Sequence, residues 1–559
     1  MITNTDVDPQ MLIKERFASE GIEVLTLEAR DYPEETIFVV CVREDEIEKA
    51  SKVGNAIDRE LSDLGIDGFV TVRRAKQHTV FVTQRVEGGV QDPRVTDLIN
   101  LVTARSRTSE VQPSLLYIPD AARNILTVTA PRHHLIFGRR GAGKTALMVE
   151  AKKLVESQGH LSVWVNLQTL RHESANRAFL WICKRICELV QTTYREADKA
   201  PVVLVTASTT NQILDQLLGG PEVSDQAANR LVPQMQALLR RFLQTTDNRL
   251  YFFIDELHYL LPRNEQPRLL DMVHGAVRDC DAWLKVAGIK HLSRWFQSNP
   301  PLGLQTGHDA DHIDLDVTLE NPSGAKVFLE NVLRSYAKHV GINSLFGVLS
   351  PQALDRLVLA SGAVPRDYLV LSASAIRQAQ KREKARVVGV QDVNKAAGEA
   401  ANVKIAELEE DAAAAEGSTN TILTALQRLR AFCLDEKRCT YFRVDFRDKE
   451  QRTPEYNLIQ SLLDLRLTHL VSGSLSDEHQ AGRRFEVFML DLSQFSGQRL
   501  KKHLKVLDFE AGHIVVKETG TNVATKIGNT PKKRLALLRR GPLFELSELV
   551  VEVRNGVGQ

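Results

Sequence analysis

The sequence predicts a multidomain α/β chain: a parallel sheet with flanking helices at its centre, a helical domain after it, and smaller α+β units at either end. Three observations predict this. From Ile118 to Leu319, apolar extended runs alternate with amphipathic helices, the pattern of a mostly parallel sheet covered on both faces. From Pro322 to about Glu410 the pattern turns all-helical. Outside these limits, short strand-like runs and helices recur without that regular alternation.

Composition narrows the class. The 559 residues are 43% hydrophobic and 26% charged, an ordinary globular balance. Lys+Arg 72 against Asp+Glu 71 leaves +1, so the whole chain is no polycationic nucleic-acid coat, and any basic surface is local. No stretch approaches the roughly 18 apolar residues of a membrane span, and the start, Met1 to Asp8, is too polar and acidic for a secretory signal. Six scattered cysteines, at 41, 183, 187, 280, 433 and 439, read as reduced thiols. A cytoplasmic protein without a membrane partner is expected.

Element by element, residues 1–88 read as an N-terminal α+β domain. Extended runs at Ile22–Leu27 and Thr36–Val42 precede a helix over Asp45–Leu64, and further runs fall at Phe69–Val72 and Thr79–Thr83. A docking or oligomerisation role, with a protein partner, is the plain reading. The α/β core is placed at 89–318, with extended runs at Leu135–Phe137, Leu161–Val165, Val202–Thr206, Leu250–Ile254, Leu284–Ile289 and Ile313–Leu319. A helix over Asn176–Tyr194 presents Phe179, Ile182, Cys183, Ile186, Leu189 and Val190 on one face, and helices over Gln212–Leu218 and Ala227–Thr245 lengthen this region. A helical domain follows at 319–416, where Ser350-Pro351 opens one helix with a cap residue and a first-turn proline. Alanines and Glu-Gly-Ser-Thr around Glu409–Thr419 mark a linker.

Gly138-Arg-Arg-Gly-Ala-Gly-Lys-Thr145 matches G-x-x-x-x-G-K-[ST] between an apolar strand and a helix beginning at Ala146. Gly138, Gly141 and Gly143 permit a tight loop whose N–H groups, with those of Ala142 and the helix start, converge on phosphate oxygens. Lys144 reaches the β and γ phosphates, and the Thr145 hydroxyl is a Mg2+ ligand. Leu250–Leu257 is a buried strand ending in two carboxylates: Asp255 for the Mg2+ shell and Glu256 for the attacking water. ATP and Mg2+ are the cofactors these residues call for.

The loop, Ile254-Asp-Glu-Leu-His-Tyr-Leu260 and Ser361-Gly-Ala-Val-Pro-Arg-Asp367 together resemble P-loop AAA+ ATPases, and within them the origin-recognition and cell-division-cycle initiator clade, over roughly residues 118–495. The resemblance implies an AAA+ core followed by a helical lid, with Arg366 as the sensor 2 arginine on the γ-phosphate. It implies a sensor 1 residue after the strand Leu284–Ile289, where His291 or Lys290 stands in place of the usual small polar residue; slow hydrolysis follows. It also implies an arginine finger from a neighbouring subunit, Arg278 or Arg294, and hence self-association.

Residues 417–510 resemble a winged helix: a helix over Asn420–Glu436, a strand Tyr441–Val444, a helix Thr453–Asp464, then a short run Thr468–Val471, a polar loop Ser472–Arg484 and a strand Phe485–Leu490. No full helix is evident just before Thr453. Residues 511–559 read as a basic, strand-prone extension. Residues 417–559 hold 23 Lys+Arg against 17 Asp+Glu, a local +6 that leaves −5 for the rest. Arg483 and Arg484 at the wing, and Lys532 to Arg540 in the tail, are the phosphate-contact candidates. The expected function is a nucleotide-switched ATPase assembling on double-stranded DNA. The alternative is a signalling switch, of the kind found in bacterial conflict systems, that acts through protein partners.

Overall fold

The computed structural model describes residues 8–31, 36–43, 46–74, 88–120, 122–194, 202–413, 419–496, 503–511, 513–519 and 526–549. The chain divides into two compact units, Met1–Gln84 and Arg85–Gln559.

In the first unit a β-α-β crossover runs from strand Thr36–Val42 through helix Ile47–Asp63 to strand Gly68–Arg74, the two strands pairing in parallel. Strand Thr26–Asp31 adds antiparallel to the other side of Thr36–Val42. The helix buries Ala50, Ile57 and Leu61, whose seven- and four-residue spacing keeps them on one face, against Phe38, Val40 and Val70 of the sheet. The first strand starts at Thr26, four residues later than expected, and Thr79–Thr83 lies outside the described residues.

The second unit is built on a five-stranded sheet in the order Ala310–Asp314, His133–Phe137, Ala282–Gly288, Leu250–Asp255, Leu161–Asn166, with every neighbour parallel. Alternation sets its two faces. Leu250, Phe252 and Ile254 point into one apolar cluster with the helices Ala175–Thr193 and Glu265–Val277; Tyr251 and Phe253 point into the other with the helix Lys144–Ser157.

Val202–Thr206, expected as an extended run, is instead the first turns of helix Val202–Gly219. Its β-branched residues suit a strand in isolation, but Val203, Ala207, Thr210 and Leu214 recur at three- and four-residue spacing and are buried, with Val203, Ala207 and Leu214 in the same apolar cluster as helices Ala175–Thr193 and Asp225–Thr246. The run Ile313–Leu319 is a strand only as far as Asp314.

The helical segment comprises Pro322–His339, Pro351–Ala360, Pro365–Gln380 and Val390–Ala413, and Ser350 caps the second by accepting from Ala353 N–H. Helix Pro93–Arg105 follows the core boundary expected at residue 89. Helix Pro93–Arg105 buries Val95, Leu98, Ile99 and Val102 in the cluster of these four helices, not in the parallel sheet. Its pairing partner lies more than 200 residues away, so no local pattern announces it.

After this segment the chain runs helix Thr419–Arg430 with a π-helical turn Ala431–Glu436, strand Tyr441–Asp445, short helix Phe446–Gln451, helix Thr453–Asp464, and strands Thr468–Ser476 and Arg484–Leu490. The strand Arg484–Leu490 lies between the other two, antiparallel to both. One face of this sheet (Phe442, Val444, Phe488, Leu490) packs on its own helices; the other (Tyr441, Val487, Met489) is continuous with the core of the preceding helical segment. The boundary expected at residue 510 falls inside a hairpin, because Lys505–Glu510 pairs with His513–Glu518. The tail is likewise part of the fold: Phe544 N–H donates to Arg443 O at 2.8 Å, and Phe544, Leu546 and Leu549 are buried beside Phe442.

Candidate nucleotide site

The loop 138–143 leaves the C-terminal end of strand His133–Phe137 and enters helix Lys144–Ser157 through Gly143, whose φ of +103° lies in the left-handed region that favours glycine. Gly141 has a second reason to be glycine. At φ +83°, a Cβ there would stand 2.8 Å from Arg366 Cβ and 3.0 Å from Val364 Cγ1. The loop and the start of helix Pro365–Gln380 are therefore in contact, and Arg366 N–H donates to Gly141 O at 3.4 Å.

Between them opens a cavity of about 510 Å³. Its wall includes Gly141, Ala142, Gly143, Lys144, Thr145 and Ala146 from the loop and first helical turn, together with Glu256 and Arg366. Tyr117 and Ile118, from the segment leading into the domain, line it too.

Lys144 is buried, and its Nζ donates to Gly138 O at 2.8 Å and Arg139 O at 3.2 Å. Burial pulls its ammonium below the ordinary lysine value, while Glu256, Asp255 and Asp316 pull back. Thr145 Oγ1 donates to Asp255 Oδ2 at 2.7 Å, and Glu256 N–H donates to Asp255 Oδ1 at 2.9 Å. Asp255 is 2% exposed, and no ion pair to it is present among the described residues. Burial, reinforced by Glu256, pushes its carboxyl up to about 7.

Not every expected residue comes to the cavity. Gly138 lies behind it, giving its carbonyl to Lys144. His291 is outside the wall: it sits in the turn Lys290–Leu292 with Nδ1 against Asp464 of helix Thr453–Asp464. Arg278 precedes strand Ala282–Gly288, at the sheet end opposite the phosphate loop, whereas Arg294 follows that strand and is exposed. At the expected wing, Arg484 is exposed, but Arg483 donates from Nε to Asp445 Oδ2 at 2.7 Å and lies over the Phe485 ring.

Two residues of the site escaped sequence reasoning. Arg139, 3% exposed, donates from Nη2 to Val317 O (2.9 Å) and Gly362 O (3.2 Å), and its N–H donates to Asp316 Oδ1 at 2.8 Å, tying the loop to the helical segment. Nothing local separates it from its neighbour Arg140. His258, two residues past Glu256, turns back so that Nε2 is 3.2 Å from Glu256 Oε2.

Residues 121–279 match the AAA ATPase domain family. This segment holds the phosphate loop and three of the five strands of the parallel sheet, the part of the chain where the first two AAA+ motifs are read. No curated protein matches the sequence. Among solved structures, the chain is similar to the ORC1 protein of Aeropyrum pernix in complex with DNA, at 15% identity and a TM-score of 0.31, covering 74% of this chain and 93% of that one. It is similar also to Cdc6p from Pyrobaculum aerophilum (13%, TM-score 0.31, 68% and 93%) and to Drosophila ORC bound to DNA (11%, TM-score 0.25, 71% and 91%). Among the described residues no helix is long and apolar enough to cross a membrane.

Proposed function

We propose that the chain binds and slowly hydrolyses ATP, and that the bound nucleotide sets the position of the helical lid. The observation that carries this reading is the cavity itself, which brings Lys144 and Thr145 of the phosphate loop and first helical turn together with Glu256 and the lid residue Arg366. Lys144 would meet the β and γ phosphates, Arg366 the γ-phosphate with its fork of donors, and Glu256 would orient the attacking water. A Mg2+ ion suits the residues present. A buried carboxylate without an ion-pair partner, hydrogen-bonded to a hydroxyl, is a hard oxygen pair in want of a cation, so Thr145 and Asp255 would hold it. When bound, the ion would neutralise phosphate charge. Lys144→Ala tests the reading: nucleotide binding measured by titration calorimetry should be lost, whereas Glu256→Gln should bind ATP normally and turn over about 10²–10⁴-fold more slowly. A Lys144→Ala protein that binds ATP like the parent ends the proposal.

We further propose that the chain self-associates and contacts double-stranded DNA. The order helix, strand, helix, helix, strand, strand over 419–490 supports reading this module as a winged helix, with Thr453–Asp464 in the recognition position. Exposed Arg452, Arg484, Lys532 and Lys533 would meet phosphates. Arg294, at the phosphate-loop end of the sheet, is the finger a neighbouring copy would present. One observation favours the alternative, a switch acting on protein partners: helix Thr453–Asp464 contains Glu455 and Asp464 but no Lys or Arg, and Asp464 is engaged with His291. Duplex binding that weakens steeply with salt decides for DNA; nucleotide-dependent assembly without duplex binding decides for the alternative.

A further inference from the structure

Glu256 has a backbone conformation that few side-chain-bearing residues adopt, φ +62° and ψ +43°. Left-handed residues of this kind are strained and persist where the surroundings fix them. Here the consequence is local. The left-handed residue starts a single 3-10 turn, Leu257–Tyr259, closed by Tyr259 N–H donating to Glu256 O at 3.0 Å. That turn carries His258 back over the Glu256 side chain.

The two side chains differ sharply in environment. The His258 side chain is 3% exposed and lies tilted against the Tyr259 ring, with centroids 4.6 Å apart; that of Glu256 is 27% exposed and lines the cavity. His258 Nε2 is 3.2 Å from Glu256 Oε2, within reach but short of the alignment of a formed hydrogen bond, and among the described residues neither ring nitrogen has another partner. A small rotation of the carboxylate completes the bond. Burial, and then the charges of Lys144, Arg140, His291 and Arg263, hold the imidazole well below its ordinary value. A neutral ring can still donate from Nε2.

We propose that His258 is a positioning residue for Glu256: its Nε2–H holds Oε2, turning Oε1 toward the water in the cavity. This rests on Glu256 being the group that orients that water. The left-handed backbone and the buried ring together give the carboxylate one orientation, and the sequence motif alone requires neither.

The test uses the full chain and steady-state ATPase kinetics, with ADP affinity measured in parallel. His258→Leu removes the donor; His258→Gln keeps an N–H near the place of Nε2. A hydrogen bond to a charged group supports a loss of about 10- to 100-fold in kcat for His258→Leu, with KM and ADP affinity within about twofold. His258→Gln should recover most of that loss. His258→Asn, polar but too short to reach Oε2, should share the loss and replaces the leucine variant if that one does not fold. An unchanged kcat in the leucine or asparagine variant overturns the proposal, as does a loss equal in the glutamine variant or one carried by KM. Glu256→Gln separates the two readings. If it hydrolyses ATP like the parent, the role of Glu256 has failed; if it is inactive while His258→Leu is normal, only the role of His258 has.

Discussion

Arg466, two residues past helix Thr453–Asp464, donates from Nη1 to Oδ1 of Asp367, the residue that follows Arg366 in the lid. Both side chains are buried, at 4% and 9% exposure. Lys404 joins them, with Nζ 3.8 Å from Asp367 Oδ2 and 3.0 Å from Asp491 Oδ2, and Asp491 meets His469 Nε2 at 2.7 Å. The lid helix that carries Arg366 is thus bound to the C-terminal module by charges that water does not screen. Removing one member strands the others. Asp367→Ala should destabilise this unit by about 3–5 kcal/mol, the usual effect of unpairing a buried charge, and Asp367→Asn by less. Denaturant unfolding followed by circular dichroism reads it; an alanine variant as stable as the parent would show the network to be dispensable.

Arg366 itself makes a separable prediction. If its guanidinium reaches the γ-phosphate, Arg366→Ala should weaken ATP relative to ADP by about 10- to 150-fold, the worth of one charged hydrogen bond. Gly141→Ala should act differently. Its Cβ would collide with Arg366 Cβ at 2.8 Å and is strained at φ +83°, so loop and lid would part and both nucleotides would weaken together. Calorimetry with ATP and ADP on the two variants distinguishes these outcomes, and equal losses in Arg366→Ala would remove the γ-phosphate contact.

Much of this was legible in the chain because it is local. Strands such as Leu250–Asp255 are continuous apolar runs bounded by polar turns, and the phosphate loop is a contiguous motif. What escaped depends on distant partners or on a single dihedral angle. Helix Pro93–Arg105 has an ordinary apolar stripe, and nothing within it says that the stripe faces the lid instead of the parallel sheet. Val202–Thr206 carries strand-favouring residues, yet the helical spacing emerges only when Ala207, Thr210 and Leu214 are counted with it. His258 is adjacent to Glu256 in space because residue 256 is left-handed, and no composition rule foretells that.

The sheet end opposite the phosphate loop should contribute to acid sensitivity, beside other buried histidines such as His258 and His291 that burial holds below their ordinary value. His133 Nδ1 accepts from Leu284 N–H, and His134 Nδ1 is hydrogen-bonded to the buried Lys285 Nζ, each at 2.9 Å. Burial, aided by His274 and Lys285, lowers His133 to about 4; burial with Lys285 and Arg132 lowers His134 to about 3. Both folded values lie below the unfolded one of about 6.5, so below that pH the unfolded chain binds more protons and unfolding is favoured. Stability should therefore fall as pH drops from about 6.5 to 4, with a limiting slope from these two groups of roughly 2.7 kcal/mol per pH unit. His133→Asn, which keeps an acceptor but does not titrate, should reduce that slope by about half. An unchanged slope would place the acid sensitivity elsewhere.

The geometry around Arg483 and Arg484, at the proposed wing, sharpens the expectation for DNA. Read from sequence, Arg483 and Arg484 are equivalent, and losing both should flatten the salt dependence by about two phosphate contacts. Their neighbours make them unequal. Arg483 is bound to Asp445 across the sheet and lies over Phe485, with the guanidinium carbon 5.0 Å from the ring centroid, so reaching a phosphate would mean breaking that pair. Arg484 is exposed at the start of its strand. Each real phosphate contact contributes about 0.9 to the slope of log K against log salt. Arg484→Ala should then lower the slope by about 0.9 and weaken all duplex sequences alike, while Arg483→Ala should leave the slope unchanged. ATPase activity without DNA should be the same in both, because neither residue lines the nucleotide cavity. A fluorescence-anisotropy salt titration reads the difference. If Arg484→Ala keeps the parent slope, the wing is not the contact, and the exposed Lys532 and Lys533 should be replaced next. If those too leave the slope intact, helix Thr453–Asp464 does not serve DNA, and the reading of a protein-directed switch takes its place.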